Sequence, residues 1–286
     1  MPHPHREFLM KDVNLSNGMR MRYYEWPGSK PNLILLHPST GYGRMWEWTA
    51  GYLGSRFHIY ALDQRGHGDS SRPDGDYSAE EYAEDLHLFM QKLGLEKAVI
   101  AGHSLGSRVG QAFAAIYPSE AQALILVGGP HYSNFFPERH RVAQVLEGSN
   151  RTLTSPTEFP SREAAMAYIK ANRPGDSKEA LDHRIEHNML PVGGHGLAFK
   201  YDRVRVAQGL AHMSDNLRKH AEKVKCPVAI FRGTKSSHLS KEEAQRVAKC
   251  WGDAAVIEVE GDYGLEVENP EGLARAVEGF VRERVR

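Results

Sequence analysis

Ala98-Val99-Ile100-Ala101-Gly102-His103-Ser104-Leu105-Gly106 is the stretch on which the reading of this chain turns. An apolar run of strand type leads into Gly-x-Ser-x-Gly, and the alanine-rich Gln111-Ala112-Phe113-Ala114-Ala115 that follows is of helical type. A serine on a sharp turn between a buried strand and a helix has its hydroxyl lifted clear of the sheet. Glycines two before and two after it let strand and helix approach closely and tolerate backbone that a side chain forbids. The hydroxyl is a weak nucleophile until a base takes its proton, so this turn is only part of a mechanism.

Outward from the turn, short apolar runs alternate with longer amphipathic segments, the pattern of β-α-β units in a mainly parallel sheet. Strands are expected at Met21 to Glu25, Asn32 to His37, His58 to Leu62, Ala98 to Gly102, Ala123 to Val127, Val228 to Arg232 and Ala255 to Glu258. Helices are expected at Tyr77 to Leu93, Ser107 to Tyr117, Lys241 to Trp251 and Gly272 to Arg284, the first of them started by Ser78 as N-cap. Continuous runs such as Leu33-Ile34-Leu35-Leu36 suit strands buried on both faces. From about His131 to about Gln208 the alternation stops, and helical segments rich in charge and histidine take its place.

Two more motifs stand in order around the serine. His37-Pro38-Ser39-Thr40-Gly41 follows the first long apolar strand, and Asp63-Gln64-Arg65-Gly66-His67-Gly68-Asp69-Ser70 follows a later one. Together with the serine turn they resemble the α/β-hydrolase superfamily over nearly the whole chain. The resemblance implies an α/β fold, a mostly parallel central sheet flanked by helices. It also implies a hydrolase core at 1–130 and 209–286, with 131–208 inserted as a helical cap over the pocket. By position, the backbone N–H groups of Ser39 and Leu105 form the oxyanion hole. Pro38, where the family has glycine, lacks only its own N–H and leaves the Ser39 donor in place. Asp63, Arg65 and His67 belong to a structural turn.

The same resemblance exposes two losses. The family's triad runs Ser, then Asp or Glu, then His, yet the last histidine here is His238. Aligning Glu268-Asn269-Pro270 with the family's E-x-P ending puts Tyr263 in the histidine's place. The acid's usual loop, Arg232-Gly233-Thr234-Lys235-Ser236-Ser237-His238, offers serines, and the alternative loop Val127-Gly128-Gly129-Pro130 holds no carboxylate.

Three readings compete. One keeps hydrolysis of an ester, lactone or similar carbonyl substrate and seeks a substitute base, His238 first, then His131, with His103 expected to point away from the serine. In the second, a lyase or cofactor-free enzyme uses the oxyanion hole, with Ser104 as hydrogen-bond donor and Tyr263 orienting substrate or giving a proton. Lys235 and Arg232 are candidates for lowering the tyrosine's pKa, which is otherwise about 10. The third is a catalytically inactive small-ligand-binding protein. Hydrolase-type chemistry is favoured, with Ser104, Tyr263 and His238 as catalytic candidates. His37, Trp46, His131 and Ser236 are expected to touch substrate, in a pocket to which Trp48, Phe135 and Phe136 also contribute.

Composition adds exclusions. The 286 residues carry 36 basic and 36 acidic side chains, which gives no reason to expect nucleic acid or an anionic membrane as partner. Cys226 and Cys250 do not make a disulfide framework. No signal peptide or membrane-length apolar run is visible, so a cytoplasmic enzyme is expected, compatible with a homo-oligomer. Neither a dinucleotide fingerprint nor a phosphate loop is present, so no cofactor is expected. No metal is expected either: His183 and His187 can share a helical face, but no third ligand stands out.

Overall fold

The apolar runs earn their strands by alternation: along each one, successive side chains point to opposite faces and both faces are covered. A computed structural model of the chain describes residues 3–129, 139–212, 217–252 and 254–285, without the side chains of 139–142 and 144. The first part of the chain gives β1 (Leu9–Asn14), β2 (Arg20–Trp26), β3 (Asn32–Leu36), β4 (His58–Leu62), β5 (Ala98–His103) and β6 (Ala121–Val127). Three short strands, β7 (Glu158–Phe159), β8 (Met189–Val192) and β9 (Gly196–Phe199), make a separate small sheet, and β10 (Val228–Gly233) and β11 (Ala255–Val259) return to the main one. The main sheet has the order β1-β2-β4-β3-β5-β6-β10-β11. β2 is antiparallel to both its neighbours, and every other neighbouring pair is parallel.

The helices are α1 (Glu47–Leu53), α2 (Ala79–Leu93), α3 (Leu105–Ile116), α4 (Arg139–Thr154), α5 (Arg162–Asn172), α6 (Lys178–Asn188), α7 (Arg203–Ala211), α8 (Arg218–Ala221), α9 (Lys241–Ala248), α10 (Leu265–Glu268) and α11 (Pro270–Arg284). On one face of the sheet Ile34, Leu36, Ile100 and Ile230 pack with Phe89 of α2 and Phe113 of α3. On the other, Leu33, Leu35, Ala101 and Phe231 pack with Leu53 of α1 and Phe280 of α11. Truncating a fully buried phenylalanine such as Phe113 or Phe231 to alanine costs about 3–5 kcal/mol. Ser78 caps α2 by accepting the Glu81 amide, and Gly94 ends that helix in left-handed backbone at φ 67°.

Two elements escaped the sequence reading for identifiable reasons. β1 is an edge strand, mostly exposed and paired only with β2, so it carries no alternating apolar signal. The segment expected to be a purely helical cap holds helices and also the antiparallel sheet β7-β9-β8, whose strands are two to four residues long. Its β8-β9 hairpin turns at Gly193 and Gly194, both with positive φ. A small apolar cluster of Phe159, Ala165, Ile169, Leu181, Ile185 and Met189 holds this segment together, apart from the two clusters on the main sheet. α7 runs through the expected boundary at 208/209 and packs on α4. No helix among the described residues is long and apolar enough to cross a membrane.

Candidate active site

The serine turn is held by contacts that only glycine permits. A Cβ on Gly102 would lie 2.1 Å from the carbonyl of Gly106, and one on Gly106 would lie 2.3 Å from the Leu36 carbonyl oxygen in the neighbouring strand β3. Between them Ser104 sits at φ 52°, ψ −107°, a conformation L-residues rarely adopt. Ser104 is the N-cap of α3 but makes no side-chain capping bond, so its hydroxyl is available to other groups.

β3 and β5 are parallel neighbours, with Leu36 opposite Gly102, so the loops leaving their C-terminal ends lie side by side. The loop after β3 closes with a Gly41 N–H···O=C Pro38 bond of 2.9 Å, and Thr40 occupies the left-handed region at φ 59°. Among the described residues the Ser39 N–H meets no acceptor, and Leu105, first in α3, has no intrahelical one. The Asp-x-Arg-Gly-x-Gly turn braces this loop. His67 Nε2 accepts the Thr40 N–H at 3.2 Å, while Asp63 accepts the N–H groups of Gly43 (2.6 Å) and Asp69 (2.9 Å). Burial raises the Asp63 carboxyl to about 6 against the pull of those two bonds, and lowers His67 to about 4.

Two of the expected substrate contacts belong to this scaffold instead. His37 is fully buried; its Nδ1 donates to the Pro38 carbonyl at 2.8 Å and its Nε2 accepts the Gln64 N–H at 3.0 Å. Both ring nitrogens being occupied by backbone, the imidazole has nothing left for a ligand, and burial pushes its pKa well down. Trp46 is 1% exposed and packs in the core with Tyr24 and Leu53. Aromatic size alone does not distinguish a pocket wall from a core position. His131, Phe135 and Phe136 lie outside the described residues.

Tyr263 stands beside the serine. Its hydroxyl is near enough to Ser104 for the serine to lower its pKa, and its ring meets two imidazoles: His103 edge-on at 4.6 Å between centroids and His238 stacked at 4.2 Å. Burial raises the phenol to about 12. Ser104 and the positive charge of Arg173 oppose that rise, and the Glu266 carboxylate adds to it. The two cations considered for this task from sequence are engaged elsewhere: Arg232 with Glu258 and the Leu239 carbonyl, Lys235 with Glu260. Ser236, in the acid's loop, is half-buried and its hydroxyl accepts the His238 N–H at 3.2 Å, so what it visibly does is hold a turn.

The loop that carries Tyr263 is shaped by Glu268, whose carboxylate accepts the N–H groups of Asp262 (2.6 Å) and Gly264 (3.1 Å). Beneath it lies a pair that sequence reasoning missed. His103 Nδ1 and Glu266 Oε1 are 2.8 Å apart with both side chains almost wholly buried. Burial alone would raise the Glu266 carboxyl, but facing His103 and the charge of Arg173 hold it below its ordinary value. A charged residue inside an apolar loop, two positions from the E-x-P ending, was the available signal.

The third ligand missing from the His183–His187 pair comes from α1. Donor atoms of Glu47, His183 and His187 lie within 4.8 Å of one another. Arg44 already places a cation among them, donating to Glu47 (2.6 and 2.9 Å) and to His187 Nδ1 (2.9 Å). Burial would raise Glu47, yet hydrogen bonds from His183 and Arg44 bring it down to about 2; burial, then His183 and Arg44, take His187 down to about 3. A metal ion would have to displace the guanidinium from both partners.

Residues 31–261 match the family model for the alpha/beta hydrolase fold. The chain is 29% identical over 255 residues to the 2-(acetamidomethylene)succinate hydrolase of Mesorhizobium japonicum, covering 89% of each chain. It is 25% identical to the monoacylglycerol lipase ABHD6 of Homo sapiens, over 92% of this chain and 82% of that one. The crystal structure of E-2-(acetamidomethylene)succinate hydrolase superposes with a TM-score of 0.86 at 26% identity, covering 96% of this chain and all of that one.

Proposed function

This chain belongs to the alpha/beta hydrolase fold family, and from that premise we propose that it is a hydrolase-type enzyme acting at the carbonyl of a small ester, lactone or similar substrate with an altered triad. The observation that supports the reading is the placement of Tyr263 beside Ser104: the strained serine is kept, and a phenol whose pKa Ser104 lowers stands where the resemblance expects imidazole. The substrate carbonyl is bound with its oxygen between the N–H groups of Ser39 and Leu105 and its carbon over the serine hydroxyl.

A phenol at about 12 keeps its proton at neutral pH in all but about one molecule in 10⁵. Tyr263 therefore serves as a hydrogen-bond and proton donor beside the reacting carbonyl, not as the base that frees the serine. His238, stacked on the phenol ring at 4.2 Å between centroids, is the candidate base that takes the Ser104 proton as the hydroxyl oxygen attacks the carbonyl carbon. Without an imidazole–carboxylate relay, turnover of activated esters falls by a factor of roughly 10⁴ or more relative to a complete triad.

The test is intact mass after a fluorophosphonate, comparing the parent chain with Ser104→Ala and Tyr263→Phe. Slow, Ser104-dependent labelling is expected, slowed further in Tyr263→Phe. Fast labelling equal to that of a complete triad refutes the altered-triad reading. Complete absence of labelling favours the second reading, a lyase-type or cofactor-free reaction in which the oxyanion hole and a still-protonated Tyr263 stabilise an anion without covalent serine chemistry.

A further inference from the structure

We propose that Arg173 and Arg184 form a binding site for a free carboxylate of the substrate, so that the molecule acted upon is a small organic acid whose reacting carbonyl stands a few bonds from that carboxylate. The two arginines line a cavity of about 330 Å³ bordered by α5, α6 and the loop after β3, at the lower end of small-molecule pockets. The proposal rests on the preceding reading for the reaction, and on the cavity alone for the binding.

Buried guanidiniums are ordinarily paired and hydrogen-bonded, because each brings five N–H donors and a charge out of water. These two are not. The Arg184 side chain is 6% exposed and its Nε has no hydrogen-bond partner. Asp176 is 3.7 Å from its Nη2, beyond hydrogen-bond length, and the Asp176 oxygen facing it is itself unpartnered. Arg184 otherwise stands over the Tyr42 ring at 5.9 Å. Arg173, at the end of α5, has no hydrogen bond or ion pair from its guanidinium among the described residues. The charge of Arg184, then burial, pulls the Arg173 pKa down to about 10, the signature of two like charges kept close together.

Local charge says what is missing. Two guanidiniums face one nearby carboxylate, Asp176, with Glu266 as the further carboxylate whose charge reaches Arg173, and Glu47 engaged by Arg44. A ligand carboxylate suits this pair of cations, and its two oxygens match the planar fork of a guanidinium. The site is joined to the reacting centre at two points. Thr40, next to the oxyanion residue Ser39, lines the cavity, and its carbonyl accepts the Nδ2–H of Asn188, another lining residue, at 3.0 Å. The charge of Arg173 also reaches Tyr263 and Glu266. A carboxylate at the arginines and a carbonyl at Ser39 and Leu105 therefore belong to one short molecule.

The experiment is calorimetric titration of the full chain with succinate, with succinamide as its uncharged counterpart and inorganic phosphate as the competing anion. Expected are succinate binding, no measurable succinamide binding, weaker phosphate binding, and at least a tenfold loss of succinate affinity in Arg173→Gln and Arg184→Gln. The thermal midpoint of Arg173→Gln should equal or exceed that of the parent, because the substitution relieves like-charge repulsion, so its lost binding is not unfolding. Ser104→Ala should bind succinate as the parent does; failure of the serine chemistry thus leaves this test intact. Succinate affinity unchanged in Arg173→Gln, absence of succinate binding at millimolar concentration, or phosphate binding as tightly as succinate overturns the proposal.

Discussion

The scaffold around the oxyanion loop and the cavity beside it treat buried polar groups in opposite ways. In the scaffold, both ring nitrogens of His37 and of His67 and both carboxylate oxygens of Asp63 have partners, with Gln64 Oε1 the exception. In the cavity, the guanidinium of Arg173, Nε of Arg184 and Oδ1 of Asn188 have none among the described residues. Saturated groups of the first kind hold the backbone in one shape, whereas unsaturated groups of the second kind lower stability until a ligand completes them. Burial alone does not separate the two; the census of partners does.

The comparison is broken most sharply at the scaffold. In Gly106→Ala the new methyl meets the Leu36 carbonyl at 2.3 Å, backbone against backbone in the centre of the sheet. A loss of more than about 4 kcal/mol in urea unfolding is expected, and a variant as stable as the parent contradicts the close packing argued here.

Acid tests the saturated histidines next. His67, held to about 4, and His187, held to about 3, stay neutral in the folded chain, as does His37, while the unfolded chain protonates them near 6.5. Their contribution is complete above that pH and is lost as pH falls toward 4. Asp63 works the other way, because its folded value of about 6 lies above the unfolded 3.8, so it adds stability as pH falls through that window. His67 and His187 against Asp63 leave a net loss of roughly 3 kcal/mol between pH 6.5 and 4, to which His37 adds, readable by urea unfolding at a series of pH values. A flat profile refutes it.

The combined substitutions Tyr263→His and Ser236→Asp restore the missing residue types to the loops that still stand in place. A gain on the order of 10²-fold in activated-ester hydrolysis is expected, about 2.7 kcal/mol in the barrier. No gain would locate the defect in the pocket and not in the triad. The smallest effect sharpens the contrast most: Arg173→Gln should leave unfolding stability unchanged or raise it by up to about 1 kcal/mol in urea, where substitutions of the saturated groups lower it.

Much of this was legible in the sequence. The strands of the parallel sheet follow from apolar runs such as Leu33 to Leu36, the serine turn from its two glycines, and the family from three motifs in order. The proposed place of Tyr263 at the family's imidazole position comes from aligning Glu268-Asn269-Pro270 with the family's E-x-P ending. What was not legible depends on distant residues meeting. Glu47 joins His183 and His187 across 136 and 140 positions of sequence. Arg173 and Arg184 look like two ordinary surface cations until the fold is seen to gather them in one cavity with few partners among the described residues. His37 and Trp46 were misread for the converse reason: residue type suggested a ligand contact, and the hydrogen bonds and packing that occupy them are invisible in one dimension.

Glu268 gathers two backbone amides of the Tyr263 loop without touching the tyrosine's hydroxyl, so the loop's shape is independent of what it displays. It acts as a socket, and the side chain at 263 is an exchangeable tool. Histidine and tyrosine codons differ by a single base, which makes the exchange between the two a short mutational step across which the socket itself need not change. A fold that mounts its reactive groups in this way can alter its chemistry without first having to relearn how to fold.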